Sequence, residues 1–340
     1  MKCQVTPYAL DLIHPFTISR GTMTQSHVFL VELEGGGLGE CSPVRYYKQT
    51  PEEGMELVPK MAEGLTAENL FDLDYHLSRA REIAPKHSPP LAALDIALHD
   101  RIGKETGLPL YKLFGYGEPK NACSTYTIGL DTDEAMVAKT LEAESYPQLK
   151  IKLGRDARTD LQTMRAIREA APNKEIRIDA NAGWTLDEAI KFARHAEELG
   201  LEFIEQPLAI GNLEELGKFR QECPVPVVAD EDVQNLSSLH ALVGKIDGIN
   251  IKLMKTGGLW EARQMIGFAR AEGWSVMLGC MIESGVAIAA ASHLAGAAAD
   301  LDLDSEALIS NNPVEPQVLQ PDGQLKLTGK PGLGLGLKEG

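Results

Sequence analysis

Gln148-Leu-Lys150-Ile-Lys152-Leu, Ile176-Arg-Ile-Asp179-Ala-Asn181, Phe203-Ile-Glu205-Gln-Pro, Val227-Val-Ala-Asp230-Glu-Asp and Ile249-Asn-Ile-Lys252-Leu are five short apolar runs, and a charged residue closes or nearly closes each of them. From Lys152 to Asp179 is 27 positions, then 26 to Glu205, 25 to Asp230 and 22 to Lys252. A helix-like segment follows each run. Near-regular spacing of this kind belongs to a row of strand–helix units with chemistry at the C-terminal end of each strand.

The chain on either side of that stretch brings the candidate strands to eight: 122–128, 148–153, 176–179, 203–205, 227–229, 248–252, 275–278 and 299–302. Helical segments lie between them, among them 132–143, 160–170, 186–199 and 259–271. Eight β units in series predict a TIM-type barrel, here a modified (β/α)7β form over residues 119–310. Residues 1–118 read as a separate α+β capping domain. Strands at 2–10 and 28–34 enclose a polar stretch, His14 to Thr24, that is expected to be a mobile loop. Gly39-Glu-Cys-Ser-Pro43 is expected to start a second loop carrying Arg45, Tyr46, Tyr47 and Lys48. Leu91, Leu94, Leu98 and Ile102 then follow at helical spacing behind Pro89-Pro90. Residues 311–340 offer no clear eighth helix. A hairpin over 318–327 and an irregular Pro331-Gly-Leu-Gly-Leu-Gly tail are expected to return to the capping domain and complete it.

The composition limits the alternatives. With a net charge of −16 and no basic stripe, a nucleic-acid partner is not expected. No run of about 20 apolar residues predicts a membrane span, and the N-terminus lacks the pattern of a secretory signal. The cysteines (Cys3, Cys41, Cys123, Cys223 and Cys280) fit neither zinc spacing nor a disulfide framework, so free thiols in a reducing cytoplasm are expected.

In a ring of eight, Asp179, Glu205 and Asp230 end strands three, four and five and are neighbours at one mouth. Converging carboxylates repel unless a cation sits among them. Hard oxygen ligands with positions left open predict Mg²⁺, one per subunit, with Mn²⁺ as the close second. Taken singly, any of the three could be a surface acid capping a helix. Lys150 and Lys152 project to one face of strand two. Lys252 ends strand six, on the opposite side of the ring. A substrate carboxylate held on the metal would present its α-carbon to one lysine on each face, an arrangement for removing a proton from one side and returning it from the other. An ordinary lysine, with a pKa near 10.4, is a poor base, but a neighbouring ammonium and a divalent ion both disfavour its charged form. Lys150 and the metal would stabilise the developing enolate.

With these residues assembled, the chain resembles the enolase superfamily and, within it, the muconate-lactonizing subgroup. The motifs that carry the resemblance are Lys150-Ile-Lys152, Asp179-Ala-Asn181-Ala-Gly-Trp184, Ile204-Glu-Gln-Pro207, Ala229-Asp-Glu231 and Asn250-Ile-Lys252, and it covers nearly the full length. It implies Mg²⁺-assisted abstraction of the proton α to a carboxylate, with Asn181 and Glu231 supporting the metal ligands. Met277-Leu-Gly-Cys-Met281-Ile-Glu283-Ser284-Gly and Asp302-Leu-Asp304-Ser305 look like the corresponding segments of dipeptide epimerases. On that likeness Asp302 and Asp304 bind the α-ammonium of a dipeptide, forming an anionic pocket across the mouth from the lysines, with Thr127, Met281 and Glu283 as further substrate contacts. Asp304 could otherwise simply cap the segment 305–309. In L-Ala-D/L-Glu epimerases an arginine of the first capping loop takes the side-chain carboxylate of the terminal glutamate, and Arg20 is its candidate here, with Arg45 and Lys48 as alternatives. Asp230-Glu-Asp232 departs from the Asp-Glu-Ser of many relatives, beside a metal ligand.

The expected activity is therefore epimerisation at the C-terminal residue of a dipeptide, L-Ala-D/L-Glu or a similar one, by a cytoplasmic homo-oligomer engaged in peptidoglycan peptide metabolism. The rival readings are another reaction of the same subgroup (o-succinylbenzoate synthesis, N-acyl amino acid racemisation or cycloisomerisation) and a non-catalytic binding barrel. A metal-dependent hydrolase is disfavoured by the lack of a His-x-His cluster at the strand ends. A mandelate-racemase-like site is disfavoured because Gly279-Cys280 offers no histidine base.

Overall fold

The computed structural model describes residues 1–18, 21–44, 49–86 and 88–338. Eight parallel strands, β4 to β11, lie side by side in chain order: β4 (Tyr126–Ile128), β5 (Gln148–Lys152), β6 (Glu175–Asp179), β7 (Leu201–Glu205), β8 (Val227–Ala229), β9 (Gly248–Lys252), β10 (Ser275–Gly279) and β11 (Asp300–Asp302). The sheet comes round nearly to closure beside β4, where Thr125 N–H donates to the Leu301 carbonyl at 2.9 Å and Leu303 N–H to Ser124 Oγ at 2.7 Å. Alternation sets the two faces of each strand. Leu149, Ile151, Ile176, Ile178, Ile204, Val227, Ile249 and Ile251 are all buried in the main apolar core. Their neighbours in sequence, Lys150, Lys152, Arg177, Asp179, Glu205, Asn250 and Lys252, supply the barrel's buried charged and polar layer.

In front of the barrel, β1 (Cys3–Ile18), β2 (Gly21–Leu33) and β3 (Gly37–Cys41) form an antiparallel sheet. It packs on α1 (Pro51–Met61), α2 (Leu73–Ile83) and α3 (Ser88–Thr106) around a second apolar cluster that includes Phe29, Val31, Val58, Leu77 and Leu94. Two expectations are corrected here. The stretch from His14 to Thr24 is strand on both sides of residues 19–20, part of a long hairpin whose register shifts between Asp11 and Phe16. Its outward residues are exposed and polar, so the period-2 apolar signal fades while the backbone ladder continues. Gly39 and its neighbours form β3 and do not begin a loop. Residues 37–41 lie so close to α3 that a Cβ on Gly39 would stand 2.1 Å from the Ala93 carbonyl oxygen, which is why glycine occupies the strand there.

The C-terminal residues run back along both layers. Val318–Leu325 turns as a hairpin, with Lys326 N–H on the Val318 carbonyl and Gln320 N–H on the Gln324 carbonyl, both at 2.8 Å. Val314–Glu315 (β12) pairs with Gly336–Leu337 (β13). Between them Gly332 exchanges backbone hydrogen bonds with Leu108 and Leu110, and Leu333 N–H donates to Asp100 Oδ1 at 2.7 Å. Gly332 adopts a φ of 68°, and a Cβ there would meet Asp100 Oδ1 at 2.1 Å. The cap and the barrel also share an apolar seam made of Leu10 and Val28 from the hairpin with Ile282 and Ile309 from the barrel mouth.

Candidate active site

Parallel register brings the charged strand ends level. Lys152 pairs across from Asp179, Asp179 from Glu205, and Gly279 from Lys252, while Glu205 faces Val228, two positions before Asp230. Asp179, Glu205 and Asp230 are buried, and one carboxylate oxygen from each lies within 4.8 Å of the other two. Lys152 Nζ donates to Asp179 Oδ2 at 2.7 Å, and Lys252 Nζ to Asp230 Oδ2 at 2.8 Å. The two candidate bases therefore stand on different members of the triad, joined to β5 and β9 on opposite sides of the ring.

Three buried acids so close together fit a hard divalent cation. Burial, with the charge of Asp179 beside it, pushes the Glu205 carboxyl up to about 8. Glu205 Oε2 makes no regular hydrogen bond. Its contact is the 2.7 Å approach of the Lys150 ammonium, and Oε1 accepts from Asn250 Nδ2 at 2.8 Å. Burial works against charge on Asp230, but Lys252, Lys255 and Lys150 outweigh it and hold that carboxyl well below the usual range. Asn181 donates its N–H to Asp179 Oδ1 at 2.7 Å and its Nδ2 to Asp179 Oδ2 at 3.1 Å. Nδ2 also lies 3.5 Å from Glu231 Oε1. Asn181, Ala182 and Gln206 sit at φ of 45°, 59° and 35°, so the chain turns sharply behind two of the three acids.

Two members of this set escaped the sequence reading. Lys255, three positions after Lys252 on the short helix Leu253–Thr256, is buried and donates to the Asp230 backbone carbonyl, to Asp230 Oδ1 and, at 3.2 Å, to the Asn250 carbonyl. A lysine inside the apolar run Ile-Lys-Leu-Met-Lys was the available signal. Gln206 accepts the Asp230 N–H at 3.0 Å and donates to Asp232 Oδ2 at 2.8 Å. Asp232, the departure from Asp-Glu-Ser, also accepts the Gly211 N–H at 2.8 Å, so its carboxylate braces the loop after β7.

The acids at the C-terminal end of β11 stand differently from the expected arrangement. Asp302 does not lie across the mouth from all the lysines: its Oδ2 accepts from Lys150 Nζ at 2.8 Å. Strands β5 and β11 both flank β4, and that brings the two side chains together. Burial opposes charge on Asp302, but Lys150 and Lys152 outweigh it and lower its pKa. Asp304 accepts the Thr127 N–H at 2.7 Å, and burial together with the Asp302 charge pushes it up to about 7. For Lys150, burial disfavours charge, yet Asp302, Glu205 and Asp179 overcome it and keep the ammonium charged.

A cavity of about 700 Å³ joins these groups. Thr127, Lys152, Asn181, Asp230, Glu231, Lys252, Met281, Asp302 and Asp304 line it from the barrel, and the cap adds residues 21–27 and 42–44. Glu283 is not among the lining residues. It is buried, accepts the Met281 N–H at 3.0 Å, and donates its own N–H to Ser305 Oγ at 2.7 Å, so it shapes the loop that presents Met281. Burial and the nearby Glu40 push its carboxyl up to about 8. Arg20, Arg45 and Lys48 lie outside the described residues.

Comparison with known proteins extends this picture. Residues 3–115 match the family model for the N-terminal domain of mandelate racemase and muconate lactonizing enzyme, and residues 133–340 match the enolase C-terminal domain-like model. An L-Ala-D/L-Glu epimerase of Bacteroides thetaiotaomicron is 38% identical over 340 residues, covering 98% of this chain and 88% of that one. The Enterococcus faecalis dipeptide epimerase, solved with Mg and L-Leu-L-Tyr, superposes with a TM-score of 0.93 at 31% identity over 98% of each chain. The Methylococcus capsulatus dipeptide epimerase, solved with Mg and L-Arg-D-Lys, gives a TM-score of 0.90 at 31% identity, again over 98% of each chain.

Proposed function

This chain belongs to the mandelate racemase/muconate lactonizing enzyme family of the enolase superfamily, and from that premise we propose that it is a Mg²⁺-dependent epimerase of dipeptides. The observation that carries the reading is the pair of buried lysines, Lys152 and Lys252, on opposite sides of one cavity and each bonded to a different acid of a metal-binding triad. Asp179, Glu205 and Asp230 would hold the ion, with Mn²⁺ able to replace Mg²⁺. When bound, the ion lowers the energy of the negative charge that gathers on the substrate carboxylate as the α-proton leaves.

The chain's own groups do the rest. One lysine, as the free amine, takes the α-proton of the C-terminal residue and becomes an ammonium, while the ammonium on the other face delivers its proton to the same carbon. The stereocentre inverts and no atom is gained or lost. Lys150, kept charged by its buried acids, faces the developing negative charge. Asp302 and Asp304 supply the negative end for the substrate's α-ammonium. The cap, built from residues 1–118 and completed by 311–340, closes the other end of the cavity that the 119–310 barrel opens. Arg20, outside the described residues, is the candidate partner for a substrate glutamate. An L-Ala-D/L-Glu substrate would place the protein in the cytoplasmic turnover of peptidoglycan peptides.

The test is incubation of the Mg²⁺-loaded protein in D₂O with pools of L-Xaa-L-Yaa and L-Xaa-D-Yaa dipeptides, followed by proton NMR. The reading predicts loss of the α-proton signal of the C-terminal residue and appearance of the other epimer. Exchange confined to N-acyl amino acids, or turnover of o-succinylbenzoate precursors, would assign the site to another reaction of the family.

A further inference from the structure

We propose that Asp160 is a positioning residue for Lys152: it ties the turn behind that lysine to the turn behind Asp179, and so governs one face of proton exchange and not the other. The proposal rests on the reading of Lys152 and Lys252 as the two bases.

Asp160 lies in the first turn of the helix Ala157–Ala170 that follows β5, is fully buried, and is not among the residues lining the cavity. Its carboxylate collects N–H groups from two loops. Oδ2 accepts the Gly154 N–H at 3.0 Å, the Arg155 N–H at 3.0 Å and the Trp184 Nε1–H at 2.9 Å, and Oδ1 accepts Arg155 Nε–H at 3.1 Å. Gly154 and Arg155 follow Lys152 by two and three positions, and Trp184 ends the turn that begins at Asp179. One buried carboxylate thus holds the ends of both strands through charge-assisted hydrogen bonds, which are stronger than those between neutral groups.

The two loops also meet through their backbones. Leu153 N–H donates to the Asp179 carbonyl at 2.8 Å, and the next N–H, that of Gly154, goes to Asp160. Gly154 adopts a φ of 105°, and a Cβ there would stand 2.2 Å from the Ala180 carbonyl oxygen. Beside it the chain passes through the left-handed residues Asn181 and Ala182, a costly conformation that persists only where the surroundings enforce it. Trp184 anchors the end of that turn: it is buried and packs on Phe192 with ring centroids 4.7 Å apart. Asn181 donates to both oxygens of Asp179, and the Lys152 ammonium rests on the same carboxylate at 2.7 Å. A shift of either turn therefore moves Lys152 against Asp179.

Lys252 is mounted differently. At that residue β9 passes directly into the short helix Leu253–Thr256, whose Lys255 donates to Asp230 Oδ1. The donors to Asp160 all come from the loops after β5 and β6. The two bases have separate supports, so damage to one support leaves the other in place.

The experiment is α-proton exchange in D₂O on the wild-type protein and Asp160→Ala, with the L,L and L,D forms of one dipeptide and Mg²⁺ at saturation for each protein. Lys152→Ala identifies the epimer whose α-proton Lys152 removes. Asp160→Ala should slow exchange of that epimer by about 30-fold or more, since a misplacement of about 1 Å at a reacting group costs on the order of 10²-fold. It should slow the other epimer by less than about threefold. A second readout needs neither metal nor substrate. The Trp184 indole N–H resonance, identified among the three tryptophans by its loss in Trp184→Phe, should move upfield in Asp160→Ala as its hydrogen bond is lost.

Equal slowing of both epimers, or slowing of neither, overturns the proposal, because a general loss of structure or of the metal site would not separate the two faces. An indole resonance that stays in place overturns it as well. If Asp160→Ala does not fold, Trp184→Phe decides: a loss of exchange confined to the Lys152 epimer supports the proposal, and an equal loss or none contradicts it. If the wild-type protein exchanges no dipeptide proton at all, the epimerase reading fails and this proposal falls with it. That result is distinct from an active wild type whose two epimers respond alike to Asp160→Ala.

Discussion

The barrel mouth and the capping hairpin face one another across a single cavity, yet they are built on opposite principles. At the mouth every functional side chain is buried and fixed by at least one neighbour: Lys152 by Asp179, Lys252 by Asp230, and Glu205 by Asn250 and Lys150. On the cap side the lining residues Gly21, Thr22, Thr24, Gln25 and His27 are exposed, and they sit near the end of a two-stranded arm. One region holds charges in a fixed relation, as proton transfer demands. The other can change residue by residue without disturbing a core. On the proposed reading, chemistry and selectivity are separated along the cavity, the arrangement expected when a rigid scaffold carries variable loops.

The largest effects should therefore come from the mouth. Lys152→Ala or Lys252→Ala should each lower epimerisation by about 10³-fold or more, the range expected for loss of a general acid–base group, with the far-UV circular dichroism unchanged. Retention of near-wild-type epimerisation by either variant would break the contrast between the two regions. One step away, Asn250→Ala removes the 2.8 Å hydrogen bond to Glu205. It should weaken Mg²⁺ binding by about 10–100-fold in a calorimetric titration, as loss of a support behind a metal ligand does.

A pH effect belongs to His293, where the barrel packs on Tyr111 and the C-terminal residues. His293 is buried, its Nδ1 lies 3.3 Å from the Tyr111 N–H, its Nε2 lies 3.3 Å from the Leu333 carbonyl, and its ring stacks on Tyr111. Burial lowers its pKa from 6.5 to about 4, so the unfolded chain binds the extra proton between those values. The associated stability is present above pH 6.5 and is lost as pH falls toward 4. Between pH 7 and pH 5 this amounts to roughly 2 kcal/mol. Urea titrations at the two pH values should show His293→Gln with a smaller loss on acidification than the wild type. An equal loss in both proteins would remove His293 as the cause.

The smallest effect on chemistry and the clearest on choice should come from the cap. Met23→Ala and Val44→Ala enlarge the cavity from its cap side. Each should alter KM among dipeptides of different C-terminal side chain by roughly tenfold, with kcat on the preferred dipeptide changing by less than about threefold. A uniform fall in kcat over all dipeptides would erase the separation of roles.

The same contrast explains what could be read from the residues alone. Strand ends in a barrel repeat at near-constant intervals, and a charge at the end of an apolar run is visible without coordinates. Asp179, Glu205 and Asp230 could thus be grouped from spacing and are found together within 4.8 Å. Lys255 was hidden because it follows the strand on a four-residue helix, where barrel periodicity no longer indicates direction. The Lys150–Asp302 contact was hidden for another reason: it spans 152 residues and depends on where the sheet comes round beside β4, a feature of closure with no local signal. The hairpin arm was misread as a loop because exposed polar residues carry no apolar alternation, although β1 and β2 pair along most of their length.

The two-face arrangement of Lys152 and Lys252 is tested most directly by half-reactions. Each single-lysine variant, Lys152→Ala and Lys252→Ala, is incubated in D₂O with Mg²⁺ and, separately, with the L,L and L,D forms of one dipeptide. Exchange of the C-terminal α-proton is followed by NMR. The prediction is complementary behaviour: each variant washes deuterium into one epimer and leaves the other untouched, with little or no inversion. Loss of exchange from both epimers in one variant together with unimpaired exchange of both in the other would mean that a single base serves the two faces, and the account would be wrong.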